Sequence, residues 1–152
     1  MIDREMVKVN RSTSVLYSKV LLFTAMIISS ANLFADVIDI DNDRAQELLD
    51  GGVPLIDVRT PPEWQHTGVI EDSHLMTFFD ADGSYDVDKW LQQLQRVATA
   101  DEPLMLICAV GGRSNVISRL LDEQLGYTKV HNVARGIKQW IEEGRPTVAP
   151  QP

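Results

Sequence analysis

The sequence of 152 residues contains one cysteine and three histidines. A single cysteine excludes an intrachain disulfide, and with it the small secreted domains that depend on paired cysteines. It also excludes a metal site built from several cysteines. The three histidines, His66, His74 and His131, do not have the spacing typical of a zinc site. The sequence therefore predicts neither a metal nor another cofactor.

Positive charge is scarce outside the N-terminus. Residues 1–35 carry four of the 14 Lys and Arg side chains and two of the 22 Asp and Glu side chains, which leaves the remainder with a net charge of −10. A surface of that sign repels a phosphate backbone, so we expect no nucleic-acid partner. The apolar fraction of 44% is typical of a globular chain, and the length suits one domain.

The main apolar run of the N-terminus, residues 20–28, is shorter than the roughly 20 residues that a membrane-spanning helix needs. A basic stretch ending at Lys19 precedes it and small or polar residues follow, which is the pattern of an export signal. We expect cleavage after Ala35, with Ala31 as the alternative site. An uncleaved membrane anchor is the competing interpretation. The prediction is a periplasmic or secreted protein without stable membrane insertion after cleavage.

From Asp36 onward, apolar runs alternate with segments of helical period. This pattern is typical of an α/β domain with a mostly parallel sheet, which we place at residues 36–148, followed by a frayed tail at 149–152. Strands are expected at residues 37–40, 54–58, 73–79, 104–108 and 129–132. Helices are expected after residues 41–43, around 63–64, at 87–98, at 114–125 with an apolar stripe that includes Val116, and around 137–141. Trp64, Trp90 and Trp140 fall at core positions of these helices.

Cys108 stands at the carboxyl end of the most continuous apolar strand, before Gly111 and Gly112 and the start of a helix. Ligands of α/β sheets bind beyond the carboxyl ends of the strands, where the following helices present free N–H groups. Two adjacent glycines allow positive φ angles, which turn the loop amides inward. The segment from Cys108 to Ser114, which includes Ala109 and Val110, therefore predicts a cradle for an anion.

The same position acts on the thiol, because a helix N-terminus and a nearby positive charge both stabilise a thiolate. We expect Cys108 to be an accessible thiolate and a nucleophile. Arg113 presents several donors to an oxyanion and is the natural partner of an anionic substrate, while Ser114 could cap the helix or bind the same anion. A lone cysteine ending an apolar strand is usually an inert core residue, so the functional interpretation depends on these loop neighbours.

Arg59 follows the strand predicted next to the Cys108 strand. Two interpretations stay open for it. Its side chain could add positive charge to the substrate pocket, or it could form a structural salt bridge with a carboxylate.

The pattern Cys-x-x-Gly-x-Arg-Ser resembles the active loop of the rhodanese-fold sulfurtransferases, and the resemblance extends over nearly the whole mature chain. The matching segments are Asp57-Val58-Arg59, Pro62-Glu63-Trp64, Gly68 with Ile70, and Gly136-Ile137 with Trp140, Gly144, Pro146 and Thr147. Three positions depart from the family pattern: Val69 replaces a frequent histidine, Glu71-Asp72 the usual Pro-Gly, and Arg135 the first glycine of a terminal pair.

The resemblance implies a three-layer fold with a central five-stranded sheet flanked by helices, and a ping-pong reaction without a cofactor. In that reaction Cys108 takes the outer sulfur of a small anionic donor such as thiosulfate, releases sulfite and becomes a persulfide. Cyanide or a thiol then accepts the sulfur. The loop residues Ala109, Val110, Gly111, Gly112, Arg113 and Ser114 would bind the substrate.

Two other functions remain open. Cysteine phosphatases and arsenate reductases use a similar cradle, but four residues separate Cys108 from Arg113, and the phosphatase loop is one residue longer. The shorter loop suits a terminal sulfur better than a tetrahedral phosphate. Alternatively, the domain could carry a persulfide or bind a partner without fast turnover, because fold alone does not fix function.

Overall fold

The computed structural model describes residues 37–151. In chain order the elements are β1 Ile38–Ile40, α1 Asn42–Asp50, β2 Leu55–Asp57, α2 Pro61–Thr67, β3 His74–Leu75, α3 Val87–Leu94, β4 Leu104–Ile107, α4 Gly112–Leu125, β5 Val130–Val133 and α5 Gly136–Glu142. The five strands form one sheet in the order β1-β5-β4-β2-β3, and every pairing is parallel. The predicted α/β fold is confirmed.

The sheet has a hydrophobic core on each face. All four residues of β4 are buried, and successive side chains of a strand point to opposite faces. Leu104 and Leu106 belong to the cluster that α3 and α4 cover, whereas Met105 and Ile107 belong to the cluster that α1 and α5 cover. The predicted three-layer architecture follows from these two clusters, and it explains why β4 reads as an unbroken apolar run.

The three tryptophans are buried, as predicted, but two apolar residues of the predicted helices are not. Val116 is 59% exposed and Ile141 is 40% exposed. In α4 the buried face is centred on Ile117 and Leu121, and Val116 lies about 100° around the helix from Ile117. The predicted stripe was therefore one residue too wide. The third strand and the third helix are also shorter than predicted, ending at Leu75 and Leu94.

Val148 connects the C-terminal segment to the domain through backbone hydrogen bonds. Its backbone forms an antiparallel bridge with buried Val69, with N–H to O distances of 2.8 and 2.9 Å. Val69 thus fills a packing position where the family often has histidine. Within residues 37–151, none of the helices is long and apolar enough to cross a membrane. The predicted export signal lies outside the described residues.

Asp72 adopts a left-handed backbone conformation with φ of 61°, the only non-glycine residue of 37–151 to do so. This is where the family usually has glycine, which enters that region without steric cost. We expect Asp72→Gly to stabilise the protein by about 0.5 kcal/mol, because relief of the strain is partly offset by the greater freedom of glycine in the unfolded chain. Urea unfolding measures the change. Asp72→Ala is the control, and an alanine variant as stable as the glycine variant would contradict the strain.

Candidate active site

The sulfur of Cys108 is buried at the start of α4. The residue follows β4 directly and is 0% exposed, so the expectation of an accessible thiolate is wrong for this structure. Its Sγ accepts hydrogen bonds from the Gly111 N–H at 3.2 Å and from the Ser114 hydroxyl at 3.4 Å. Burial raises the pKa of the thiol, but the Ser114 hydroxyl and the N–H groups of Ser114, Val110 and Gly111 lower it by more. The net pKa of Cys108 is below its ordinary value.

The two loop glycines have different roles, contrary to the expectation that both take positive φ angles. Gly111 has φ of 88°, and a Cβ there would lie 1.8 Å from the Ala134 carbonyl oxygen. Gly112 has open space around it and is already the first residue of α4. Of the two positions, only 111 therefore requires a glycine.

A second close backbone contact joins the loop to α5. The carbonyls of Cys108 and Ala109 accept the N–H groups of Ile137 and Lys138 at 2.9 and 3.1 Å. Gly136 permits this approach, since its φ is 60° and a Cβ would lie 2.4 Å from the Cys108 oxygen. Arg135 has an ordinary φ of −111°, so the replacement of the first glycine causes no strain.

Ser114 connects the sulfur to a buried polar network that sequence reasoning missed. Its Oγ lies 2.7 Å from Asn132 Oδ1 and 3.1 Å from the Gly111 carbonyl. The Asn132 amide donates through Nδ2 to Asp39 at 2.7 Å, which keeps its oxygen directed at Ser114. Asn132 Oδ1, the Gly111 carbonyl and Cys108 Sγ therefore share the single proton of the Ser114 hydroxyl. The alternative that Ser114 caps the helix is wrong, because the N-cap residue is Gly111.

We expect Ser114→Ala to raise the pKa of Cys108. The hydroxyl donates to the sulfur and favours the charged form, so its loss moves the rise in thiolate reactivity to higher pH. The rate of iodoacetamide modification measured against pH reports this shift. Ser118→Ala is the matched control, because Ser118 is also buried on α4 but its Oγ has no hydrogen-bond partner among the described residues. Equal midpoints in the two variants would contradict the assignment.

Arg113 lies at the loop as predicted, but it contacts a carboxylate of another element. Its two terminal nitrogens donate to the two oxygens of Glu63 on α2, at 3.0 and 2.5 Å, and each side chain is 33% exposed. The hydrogen bond from Arg113 is the largest cause that lowers the pKa of Glu63, which falls to about 2. Sequence reasoning assigned Glu63 only to a family motif and missed this pairing.

Arg59 forms the salt bridge that was one of its two interpretations. It is buried, its Nη2 lies 2.6 Å from Asp57 Oδ2, and it also donates to Thr67 Oγ1 and the Gly68 carbonyl. Its charge is neutralised by Asp57 and its donors are directed at protein atoms. The prediction that Arg59 binds substrate is therefore corrected: it holds β2 to the end of α2.

Beside the loop lies an open cleft of about 550 Å³. Its apolar wall includes Pro62, Ala109, Val110, Ile137 and Ile141. The exposed side chain of Val110 stands at its edge. Among the described residues, no group of three or more His, Cys, Asp or Glu side chains is placed to hold a metal ion. The arrangement can stabilise negative charge on the Cys108 sulfur or on an atom bonded to it.

Comparison with known proteins identifies the family. Residues 41–143 match the Rhodanese-like domain family. The chain is 32% identical over 111 residues to Protein HIGH ARSENIC CONTENT 1, mitochondrial, of Arabidopsis thaliana, covering 72% of this chain and 64% of that protein. It is 27% identical over 123 residues to Thiosulfate sulfurtransferase 18 of the same plant, covering 78% of this chain and 89% of the relative.

Solved structures show the same fold. A rhodanese-related protein from Thermoplasma volcanium superposes with a TM-score of 0.55 at 29% identity, covering 74% of this chain and 99% of that chain. The polysulfide-sulfur transferase homodimer of Wolinella succinogenes is similar in fold, with a TM-score of 0.58 at 20% identity over 91% of this chain and 90% of that one. This chain belongs to the family of rhodanese-like domains.

Proposed function

We propose that this chain is a sulfurtransferase that moves a sulfane sulfur from thiosulfate, or a similar donor, to cyanide or a thiol through a persulfide on Cys108. The observation that carries the proposal is the position of Sγ, 3.2 Å from the Gly111 N–H at the start of α4 and 3.4 Å from the Ser114 hydroxyl. Two of the similar proteins are named thiosulfate sulfurtransferases, which supports the same reaction class here.

In the first half-reaction the loop around the buried sulfur opens, and the Cys108 thiolate attacks the outer sulfur of thiosulfate. The S–S bond of the donor breaks, its electron pair leaves with sulfite, and a persulfide anion remains on Cys108. The loop N–H groups around Sγ stabilise that anion in the way that an oxyanion hole stabilises developing charge. Arg113 binds the oxygen-bearing end of the donor, and Ala109, Val110 and Gly112 border the approach.

In the second half-reaction cyanide or a thiolate attacks the outer sulfur of the persulfide. Cyanide leaves as thiocyanate, and the electron pair of the broken S–S bond returns to the Cys108 thiolate. The cycle closes without an external oxidant or reductant. In this step the Cys108 sulfur is the leaving group. A thiolate of lower pKa leaves faster, so the hydrogen bonds that lower the pKa of Cys108 also speed its departure from the persulfide.

The experiment combines intact-mass spectrometry with steady-state kinetics. Thiosulfate alone should add one sulfur atom to the protein, and cyanide should then remove it with repeated turnover. We expect Arg113→Ala to raise KM for thiosulfate more than it lowers kcat, because the guanidinium binds the donor in the ground state as well. A protein that gains one sulfur but never turns over would instead be a persulfide carrier, and one that gains none would contradict the proposal.

Arsenate reduction is the second candidate. It is favoured by the 32% identity to a protein whose name refers to arsenic content. The short loop from Cys108 to Arg113 suits a tetrahedral anion less well than a terminal sulfur. An assay of arsenite formation with a thiol reductant tests arsenate reduction. Phosphatase activity is not favoured, because the loop from Cys108 to Arg113 is one residue shorter than the phosphatase cradle.

We also propose that the protein is exported and cleaved after Ala35, with the mature chain beginning at Asp36. The support is the order of basic, apolar and small residues at positions 1–35. The intact mass of the protein recovered from the periplasmic fraction tests this. Retention of the full chain in the membrane fraction would contradict export with cleavage.

A further inference from the structure

Glu63 binds the terminal N–H groups of Arg113, which the proposed function assigns to the donor anion. The two carboxylate oxygens face the two terminal guanidinium nitrogens at 3.0 and 2.5 Å. This paired arrangement is the one that planar guanidinium groups also form with other oxyanions. An anionic donor and Glu63 therefore need the same N–H groups.

The Glu63 carboxylate is held in place from a second side. Its Oε2 accepts the Thr60 N–H at 3.0 Å and the Thr60 hydroxyl at 2.8 Å, in the capping box that starts α2. These contacts and Arg113 keep the pKa of Glu63 at about 2. The competing negative charge is consequently present throughout the neutral pH range and is already positioned for Arg113.

Two other cations line the cleft beside the loop, and each lies near a carboxylate. Among the described residues that line the cleft, Arg59 is neutralised by buried Asp57 at 2.6 Å. Lys138 lies 3.8 Å from Glu142 on the exposed face of α5.

Of the guanidinium groups of Arg59 and Arg113, that of Arg113 is the more exposed, at 33% against 1%, and it is already paired with Glu63. Arg135 is an exposed cation beside Val110, in a separate cleft.

We propose that Glu63 is a specificity-determining residue that competes with small inorganic anions for Arg113 and so weakens the binding of thiosulfate. The inference rests on the proposed function for its kinetic readout only. A residue that merely orients Arg113 would have the opposite effect, because its removal would weaken anion binding. Anion binding that becomes tighter when the Glu63 charge is removed therefore indicates competition, and binding that becomes weaker indicates orientation.

Glu63→Gln tests the sign, since glutamine also suits the third helical position of a capping box and leaves the cap intact. We expect KM for thiosulfate to fall roughly tenfold, equivalent to one partly exposed bidentate charge pair, with kcat changed by less than about twofold. Glu123→Gln is the matched control. It removes the same charge from the exposed face of α4, where Glu123 lies 3.5 Å from Arg119, and KM should not change.

Two further measurements make the test complete. In an Arg113→Ala background, Glu63→Gln should give no gain, because the competition acts through Arg113. Protection of Cys108 from iodoacetamide by sulfate needs no sulfur transfer, and the half-protecting sulfate concentration should fall by a similar factor in Glu63→Gln. If the wild type turns over no thiosulfate, the proposed function fails while the sulfate measurement still decides the role of Glu63.

An unchanged or raised KM in Glu63→Gln would overturn the proposal. So would a gain that persists without Arg113, or a failure of sulfate to protect either protein.

Discussion

Cys108→Ser is expected to abolish sulfur transfer and to leave the fold intact. A serine hydroxyl neither ionises at neutral pH nor forms a persulfide, so removal of the nucleophile should lower kcat/KM at least roughly a thousandfold. The fold should survive because the smaller serine hydroxyl can form hydrogen bonds with the Gly111 N–H and the Ser114 hydroxyl, which donate to Sγ in the wild type. The buried hydroxyl is therefore not left without a partner. Thiocyanate formation measures the activity, and thermal unfolding measures the fold.

Ser118→Ala serves as the control for this experiment, since Ser118 is buried on α4 and makes no contact assigned to the reaction. Its variant should retain turnover. Thiocyanate formation by Cys108→Ser at a rate near that of the wild type would show that another group carries the sulfur.

Gly111→Ala has the second large expected effect, and it acts through the backbone. An added Cβ would stand 1.8 Å from the Ala134 carbonyl oxygen, and the residue has φ of 88°. To relieve this clash, the loop after β4 and the segment after β5 must separate, which also displaces the Gly111 N–H that donates to the sulfur. We expect a loss of about 3 kcal/mol or more in the free energy of unfolding, together with loss of activity.

Gly112→Ala is the matched control, one residue away in the same loop. Its Cβ would meet nothing within 4 Å, and as the first residue of α4 it already has helical geometry. The free energy of unfolding should change by less than about 1 kcal/mol. Urea unfolding of both variants decides the matter. Similar stability of the two would contradict the contact between Gly111 and Ala134.

Features encoded within a few residues could be predicted from the sequence. The unbroken apolar run before Cys108 identified the buried central strand, because a strand covered on both faces has no solvent-exposed side and therefore no alternating polar residues. The periodic stripe after Gly112 identified α4 for a similar reason, since a helix on a sheet buries one face. Cys108 was therefore placed correctly at the end of β4 and before a helix.

Contacts that depend on strand order could not be predicted in this way. Glu63 and Arg113 are 50 positions apart, and Asp39 and Asn132 are 93 apart. They meet because β2 and β5 both flank β4, and β1 lies beyond β5. Local periodicity does not specify that order. The two loop glycines illustrate the same limit, because only the neighbouring chain at Ala134 distinguishes Gly111 from Gly112.

The structure also changes the physical account of the thiolate. Sequence reasoning relied on the positive charge of Arg113, but that charge is paired with Glu63. Burial raises the pKa of Cys108, whereas the Ser114 hydroxyl and the backbone N–H groups of the loop lower it. The site therefore stabilises a negative sulfur mainly with fixed dipoles, which need no reorganisation during the reaction.

A single-turnover chase with isotopically labelled sulfur tests the central claim most directly. Thiosulfate labelled at its outer sulfur is mixed with the protein, the excess is removed, and cyanide is added while the label is followed by mass spectrometry. The account predicts one labelled sulfur on the peptide containing Cys108, which passes to thiocyanate at a rate no slower than kcat. Labelled thiocyanate formed without label ever residing on Cys108 would contradict it.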